Sequence, residues 1–470
     1  MANPPGDDTS IPARLDGLPI TRTHRRATIA VGLGLFFEFY EVFLAGVLST
    51  VLVGQFSLTK AEVTPLLSST FVGMFLGALL LGRVADRFGR RGAFLINLGL
   101  YSVFSLLGAF SVGPAMLMIT RFFAGVGLGA EPPLADTYLT DLLPARKRGK
   151  FLAIAYTLAF CGVPVVGFLA RGIAVHTVLG IAGWRWLFVI GALGAGAVFL
   201  LRRGLPESPR WLASVGRAAE ADAVVRTIEA EAGQRVPLPA TPPATRPTRV
   251  APVKELFGKD VRRATWMMTF FHILQTIGYY GFGTMVPLVL AAKGFPVSQS
   301  LLFTALSFVG YPIGSALSLP LVERFERKYL VVGSVLLMAV FGIAFGLSTS
   351  MPLIVGFGFL YTTVSNVFSN AYHIYQAEIF PTPLRSTAAS GTYSLSRLAT
   401  AAMPFVLIPL LDKSGPAVLF VVIALALVLV ATDIAVLGPR TTGRMLDTVQ
   451  DEQPRPADPM LNRELNAPLT

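Results

Sequence analysis

Apolar runs of about 20 residues recur along most of the chain, broken by short polar intervals, and each is long enough to cross roughly 30 Å of hydrocarbon as a helix. They fall at 27–53, 63–82, 92–112, 114–135, 150–171 and 184–203, and again at 264–291, 299–321, 330–349, 352–376, 386–410 and 416–437. Twelve crossings are the expectation. The longest polar interval, 202–263, holds the stretch PLPATPPATRPTRVAP; its prolines cannot continue a helix, so it reads as a linker. The chain then divides into a segment at 1–26, a six-helix half at 27–203, the linker at 204–263, a second six-helix half at 264–437 and a tail at 438–470. The expected fold class is an all-α membrane protein built from two halves related by a pseudo-two-fold axis.

Composition agrees with this pattern. The 470 residues are 53% hydrophobic and 14% charged, with a mean hydropathy of +0.63. A soluble domain carries roughly 25% charged residues, so a water-facing surface cannot be built from this chain. The net charge of +12 would suit a nucleic-acid binder, but its placement decides against that partner. All Lys and Arg except Lys60, Arg121, Arg171, Arg185, Lys293, Arg397 and Lys413 fall in the N-terminal segment, the even-numbered loops and the tail. That is the positive-inside pattern, with both termini cytoplasmic. Cys161 is the one cysteine and lies in an apolar run, so no intramolecular disulfide can form. The opening residues MANPPGDDTSIPARLDG lack the order of a cleaved signal peptide. No Asn-x-Ser/Thr sequon occurs, and the 54–62 loop is short. A multi-pass protein of a bacterial inner membrane, acting as a monomer, is expected.

The stretch from Gly82 to Arg91, GRVADRFGRR, fits the G-x-x-x-D-R-x-G-R-[RK] signature of the major facilitator superfamily throughout. Gly82 permits close helix approach, Asp86 can accept hydrogen bonds from a neighbouring helix end, and Arg87, Arg90 and Arg91 hold the loop at the cytoplasmic face. A tight basic loop obeying the positive-inside rule is the simpler alternative. A weaker counterpart, Glu323-Arg324-Phe325-Glu326-Arg327-Lys328, follows the eighth run, as expected of a carrier with six-helix repeats. Arg121-Phe-Phe-Ala-Gly125, Pro144-Ala-Arg-Lys-Arg148, Pro206-Glu-Ser-Pro-Arg-Trp211 and Glu378-Ile-Phe-Pro381-Thr-Pro-Leu-Arg385 resemble the sugar porters and the related organic-ion and metabolite–proton symporters. The resemblance spans roughly residues 27–437 and implies the major facilitator fold, a proton gradient in place of any cofactor, and a small-molecule substrate.

Within that group, Phe37-Glu38-Phe39-Tyr40-Glu41 resembles the Phe-Glu-Trp-Tyr-Asp of metabolite–proton symporters, with Glu41 where sugar porters have their coupling Asp. Two departures narrow the substrate. The tenth run shows Asn366-Val-Phe-Ser-Asn370-Ala-Tyr372 in place of the Gly-Pro-x-x-Trp of sugar porters, and the seventh has a single Gln275 in place of a pair. Arg397 stands where organic-anion transporters carry an Arg and their cation-selective relatives an acid. The resemblance therefore implies an anionic substrate.

Charges inside the membrane cost at least about 2.5–3.5 kcal/mol each on insertion scales unless paired or wetted. At 1.5 Å per residue, Glu38 and Glu41 lie roughly 17 and 21 Å above the cytoplasmic end of the first helix. Arg121 lies roughly 10 Å below the outer surface, nearly level with Glu41. The spacing of three puts both glutamates on one helix face. A buried carboxylate holds its proton until an arginine approaches, so Glu38, Glu41 and Arg121 form a candidate coupling device; a static pair fixing helix packing is the alternative. Arg397 and Gln275 lie roughly 17 Å, and His272 about 13 Å, from the cytoplasmic end, near the midplane where carriers bind substrate. His272 reads equally as a proton participant or as a satisfied core histidine. Gln275, Tyr279, Tyr280 and Asn366 offer hydrogen bonds beside aromatic surface.

By resemblance to sugar porters, Glu131, Asp136 and Asp141, close to Arg146 and Arg148, form a gate between the halves together with Asp86, Arg87, Arg90, Arg91, Glu378 and Arg385; solvated end charges are the alternative. Gly125-Val-Gly127-Leu-Gly129 mimics a nucleotide loop, yet it follows no strand and lies inside an apolar run, so it reads as close helix packing. Cys161-Gly-Val-Pro164 only partly resembles the antiporter motif of exporters, and the direction inferred is import. No metal-ligand cluster, phosphate loop or nucleophile constellation argues for an enzyme. The expectation is a proton-coupled importer of a small organic acid, with an aromatic carboxylate as one candidate; a sugar or polyol symporter, a drug exporter and a non-transporting receptor are the alternatives.

Overall fold

The computed structural model describes residues 10–233, 253–259, 261–380 and 382–441. The side chains of Asp86 and Arg385, singled out above, lie outside the described residues. A short helix α1 (Ser10–Gly17) precedes the bundle. The first half comprises α2 (Arg22–Val47) with α3 (Ser49–Phe56), α4 (Lys60–Phe88), α5 (Arg90–Ala109), α6 (Pro114–Leu128) with α7 (Glu131–Leu142), α8 (Arg148–Phe160) with α9 (Gly162–Leu169), and α10 (Gly183–Arg203). Two short helices follow, α11 (Pro209–Ser214) and α12 (Ala218–Ala232). The second half comprises α13 (Arg262–Ala292), α14 (Val297–Phe308) with α15 (Gly310–Arg324), α16 (Arg327–Leu347), α17 (Met351–Ile379) and α18 (Thr382–Leu437).

Ten described segments are long and apolar enough to cross a membrane. The crossings number twelve for two local reasons. The fourth is interrupted at Gly129 and Ala130, which leaves α6 and α7 each too short alone. Helix α18 holds two crossings, divided where Gly415 takes φ 78°, a left-handed conformation that favours glycine. Leu193, Leu200, Val340, Val406 and Val436 stand mostly exposed around the bundle, as lipid-facing side chains do.

The interval at 204–263 is not wholly a linker. Its first part, Ala- and Glu-rich, forms α12, which buries Ala221, Val225 and Ile228 along one face at helical spacing. Helix α1 docks there through Arg14, which donates to Asp222 at 2.6 Å and to Glu229 at 2.8 Å. The bonds to Glu229 hold the Arg14 guanidinium above its ordinary pKa. The prolines that argue for a linker all come later than this helix, at 237 and beyond.

The glycine run at 125–129 is a packing surface. A Cβ on Gly125 would stand 2.1 Å from the Thr70 carbonyl, and one on Gly129 2.1 Å from that of Met74. Helices α4 and α6 therefore lie backbone against backbone. The second half repeats the device, with a Cβ on Gly314 of α15 falling 2.0 Å from the Thr363 carbonyl of α17. The two halves meet where α2 packs on α13, α4 on α18, and α8–α9 on α14–α15.

Candidate functional site

One end of the bundle carries α1, α11, α12 and most of the basic residues, and is called here the basic face; the other is the opposite face. Deep in the first half, Arg121 of α6 reaches Glu41 of α2, Nη1 donating to Oε2 at 2.5 Å. Its Nη2 donates to the Glu41 carbonyl at 2.8 Å and its Nε to the Thr70 hydroxyl at 3.2 Å. Ser105 of α5 donates to the other carboxylate oxygen of Glu41. Both charged groups are buried, and the guanidinium is fully engaged. Gly191 of α10 leaves the room this needs, since a Cβ there would lie 2.3 Å from Glu41 Oε1.

A second buried pair joins Arg202 of α10 to Glu131 of α7. Arg202 also donates to the carbonyls of Ala30 and Val31 in α2, at 3.2 and 3.1 Å, and lies over the Phe94 ring at 4.1 Å. Glu131 thus pairs inside the half, away from Arg146 and Arg148. Arg202 escaped the sequence reading because it ends an apolar run and counts as loop charge by position. Its signal was Gly34, one turn along α2, where a Cβ would stand 1.8 Å from Arg202 Nη2.

Between the halves the charges are left open. Arg397 of α18 is 5% exposed, sandwiched between the rings of Tyr280 at 4.8 Å and Tyr393 at 4.4 Å. Nη2 donates to the Tyr393 hydroxyl at 2.8 Å, while Nε and Nη1 have no hydrogen-bond partner among the described residues. Glu38 of α2 is 1% exposed, and its Oε2 is likewise unfilled. Glu38 and Glu41 are one turn apart, yet they turn to different surroundings. No hydrogen bond joins the Glu38 carboxylate to the Arg397 guanidinium.

His272 Nε2 shares a hydrogen bond with Gln376 Oε1 at 2.8 Å, and Gln376 donates to Thr392 at 2.9 Å, but His272 Nδ1 is unfilled. Asn366 is satisfied: it accepts from the Tyr279 hydroxyl at 3.0 Å and donates to the Tyr311 carbonyl at 2.6 Å. Gln275 is buried and makes no hydrogen bond among the described residues. Asp136 of α7 accepts from the Tyr156 hydroxyl at 2.9 Å.

Above these groups, toward the opposite face, the halves are sealed by aromatic and close backbone contact. Phe43 of α2 meets Phe308 at 5.7 Å and Tyr311 at 5.5 Å, and Phe71 of α4 meets Tyr280 at 5.7 Å. A Cβ on Gly46 would lie 3.0 Å from the Thr284 backbone, and one on Gly167 2.9 Å from that of Ala305. Toward the basic face, Asp136, Tyr156, Asn370 and Tyr393 are half-buried and His373 is exposed. The site opens on the basic face.

At the rim of that face the backbone N–H groups of Arg90 and Arg91 donate to Glu207 at 2.9 and 3.1 Å, and the Arg91 guanidinium donates to the Arg203 carbonyl at 2.6 Å. Gly89, at φ 89°, turns the chain there, and a Cβ would lie 2.3 Å from the Glu207 carboxylate. Arg87 lies over Phe88 at 5.5 Å. Ser208 donates to Asp141 at 2.8 Å; Arg148 and Arg210 both reach Asp16, at 2.8 and 3.0 Å. In the second half Arg327 pairs with Glu378 at 3.4 Å. None of these ties joins the first half to the second. Glu207, Ser208 and Arg210 were visible as part of the Pro206–Trp211 stretch, whereas nothing in the sequence marked Asp16.

The model of the family described as sugar (and other) transporter matches residues 27–452. The putative metabolite transport protein YyaJ of Bacillus subtilis is 32% identical over 394 residues, 82% of this chain and 86% of its own length. The niacin transporter NiaP of Acinetobacter baylyi is 30% identical over 93% of this chain and 99% of its own. Among solved structures, a partially occluded inward-open conformation of the xylose transporter XylE from E. coli aligns with a TM-score of 0.74 at 21% identity, covering 90% of this chain and 99% of that one. The chain belongs to the sugar (and other) transporter family and has the major facilitator fold. It is a multi-pass membrane transporter for a small metabolite, not an enzyme, and transport in this family needs no cofactor.

Proposed function

We propose that this transporter is a proton-coupled importer of a small organic acid, working by alternate exposure of the site between its two six-helix halves. The observation that carries the reading is Arg397: a guanidinium buried between the halves, stacked on two tyrosines, with two nitrogens unfilled. Those unfilled N–H groups are charge-assisted donors that a carboxylate can accept from. The baylyi relative is named for niacin, a pyridine carboxylate. His272, Gln275 and Tyr280 would line the same site, with Tyr279 and Asn366 behind them.

The coupling role falls to Glu41 and Arg121, with Glu38. When Arg121 withdraws from Glu41, the carboxylate gains a proton, and re-pairing expels it. By the charge bias of the loops, the basic face and both termini are cytoplasmic, in a bacterial inner membrane. The rim residues Asp86, Arg87, Arg90, Arg91, Asp141, Arg148, Glu378 and Arg385, with Asp136 and Glu131 deeper, would set which face is open. The test is uptake into proteoliposomes from a panel of labelled carboxylates, sugars and amines. An acid driven by a proton gradient is expected; a neutral sugar as the best substrate overturns the reading.

A further inference from the structure

Three helices of the first half end together on the basic face. Helix α10 packs against both α5 and α2, and at their ends a cavity of about 300 Å³ lies against α12, its lining including Thr23, Arg91, Arg203, Gly204, Thr227 and Ile228. The Arg91 guanidinium donates to the Arg203 carbonyl at 2.6 Å. Arg26 reaches the same lining, since a Cβ on Gly204 would stand 2.6 Å from Arg26 Nη2. Two carboxylates touch it as well, but Glu207 accepts the backbone N–H groups of Arg90 and Arg91, and Glu231 accepts the N–H and hydroxyl of Thr23. Neither forms an ion pair with Arg26, Arg91 or Arg203 among the described residues. Three guanidinium groups held around one cavity repel one another, and an anion placed there relieves that repulsion.

The surface beside the cavity is apolar. Leu200 stands one turn before Arg203 on α10, and Ile29 one turn after Arg26 on α2; both are exposed, and each shares a helix face with its arginine. In a membrane-spanning helix such side chains face hydrocarbon. The basic cavity thus adjoins the lipid-facing surface where the apolar part of each helix gives way to charge. We infer that it holds the headgroup of an anionic phospholipid, the phosphate against Arg91, Arg203 and Arg26 and the acyl chains along Leu200 and Ile29. A free phosphate would satisfy the guanidinium groups equally. The adjoining apolar surface favours a lipid, as in other basic pockets at the ends of membrane helices. The inference does not depend on which substrate is carried.

The purified full chain in an uncharged detergent tests this by mass spectrometry of the intact protein, titrated with phosphatidylglycerol, phosphatidylcholine or inorganic phosphate. One phosphatidylglycerol should bind at least about tenfold tighter than phosphatidylcholine, whose choline cancels the charge that the arginines read. Arg203→Gln should weaken that binding about fivefold, and Arg26→Gln, which removes a charge without altering α10, should do the same. Lys147→Gln, which removes another exposed charge of the basic face, should leave it within about twofold. All three side chains are exposed, so the variants should melt with the wild type. Equal binding of the two lipids overturns the inference. So does a loss in Lys147→Gln as large as that in Arg203→Gln, which would mean general attraction to the basic face. Inorganic phosphate that displaces phosphatidylglycerol at equal concentration would mark a site for free phosphate and overturn the lipid.

Discussion

In the first half, Arg121 and Arg202 each reach a carboxylate and the carbonyl groups of α2 as well. In the second, Arg397 reaches one tyrosine hydroxyl and two ring faces. All three are buried arginines in the same bundle. The pairs of the first half are complete, so they fix α2 against its neighbours and respond only if a helix moves or a proton arrives. The arginine of the second half is incomplete, so an arriving anion gains what the protein does not supply. Under the proposed function, this asymmetry would place the proton chemistry in one half and the reading of substrate charge in the other.

The largest expected effect is on coupling. Glu41→Gln should abolish gradient-driven accumulation while leaving counterflow exchange, because the amide cannot alternate between arginine pairing and protonation. Normal uphill uptake by this variant would dissolve the division of labour. Next is Arg202→Ala, which strands Glu131 as an unpaired buried charge and should cost about 3–5 kcal/mol, read as a steep fall in melting temperature in detergent. The matching Arg397→Ala strands no carboxylate on a hydrogen bond, so its melting temperature should hold while acid binding weakens by about 2–5 kcal/mol. Arg397→Lys, which keeps charge but loses the planar fork, should fall between. Equal thermal losses at 202 and 397 would erase the contrast between the halves.

Smaller effects sharpen it. Gly34→Ala places a methyl against the pinned Arg202 guanidinium and should cost about 1–3 kcal/mol by overpacking, visible in the same melts. Arg14→Ala takes the bidentate arginine away from the buried Glu229 and loosens α1 from α12, and should cost about 1–3 kcal/mol, with ligand affinity untouched.

The twelve crossings, their division into halves and the basic face were legible along the chain, because length, apolarity and loop charge are local properties that the hydrocarbon reads one segment at a time. The signature from Gly82 to Arg91 was legible as a contiguous string, and the shared level of Glu41 and Arg121 was legible because a residue's place on a helix of known rise gives its height. Partners were not. Depth alone cannot say that Glu131 of α7 meets Arg202 of α10, that Glu207 caps the turn at Gly89, or that Glu38 is left without the kind of arginine partner that Glu41 finds. Helix α12 was hidden for a related reason, since its apolar face is narrow and is covered only once α1 and the bundle are present. Which buried charges are satisfied depends on how helices distant in sequence rotate about their axes. That rotation is set by contacts such as Gly125 against Thr70, and only the assembled bundle decides it.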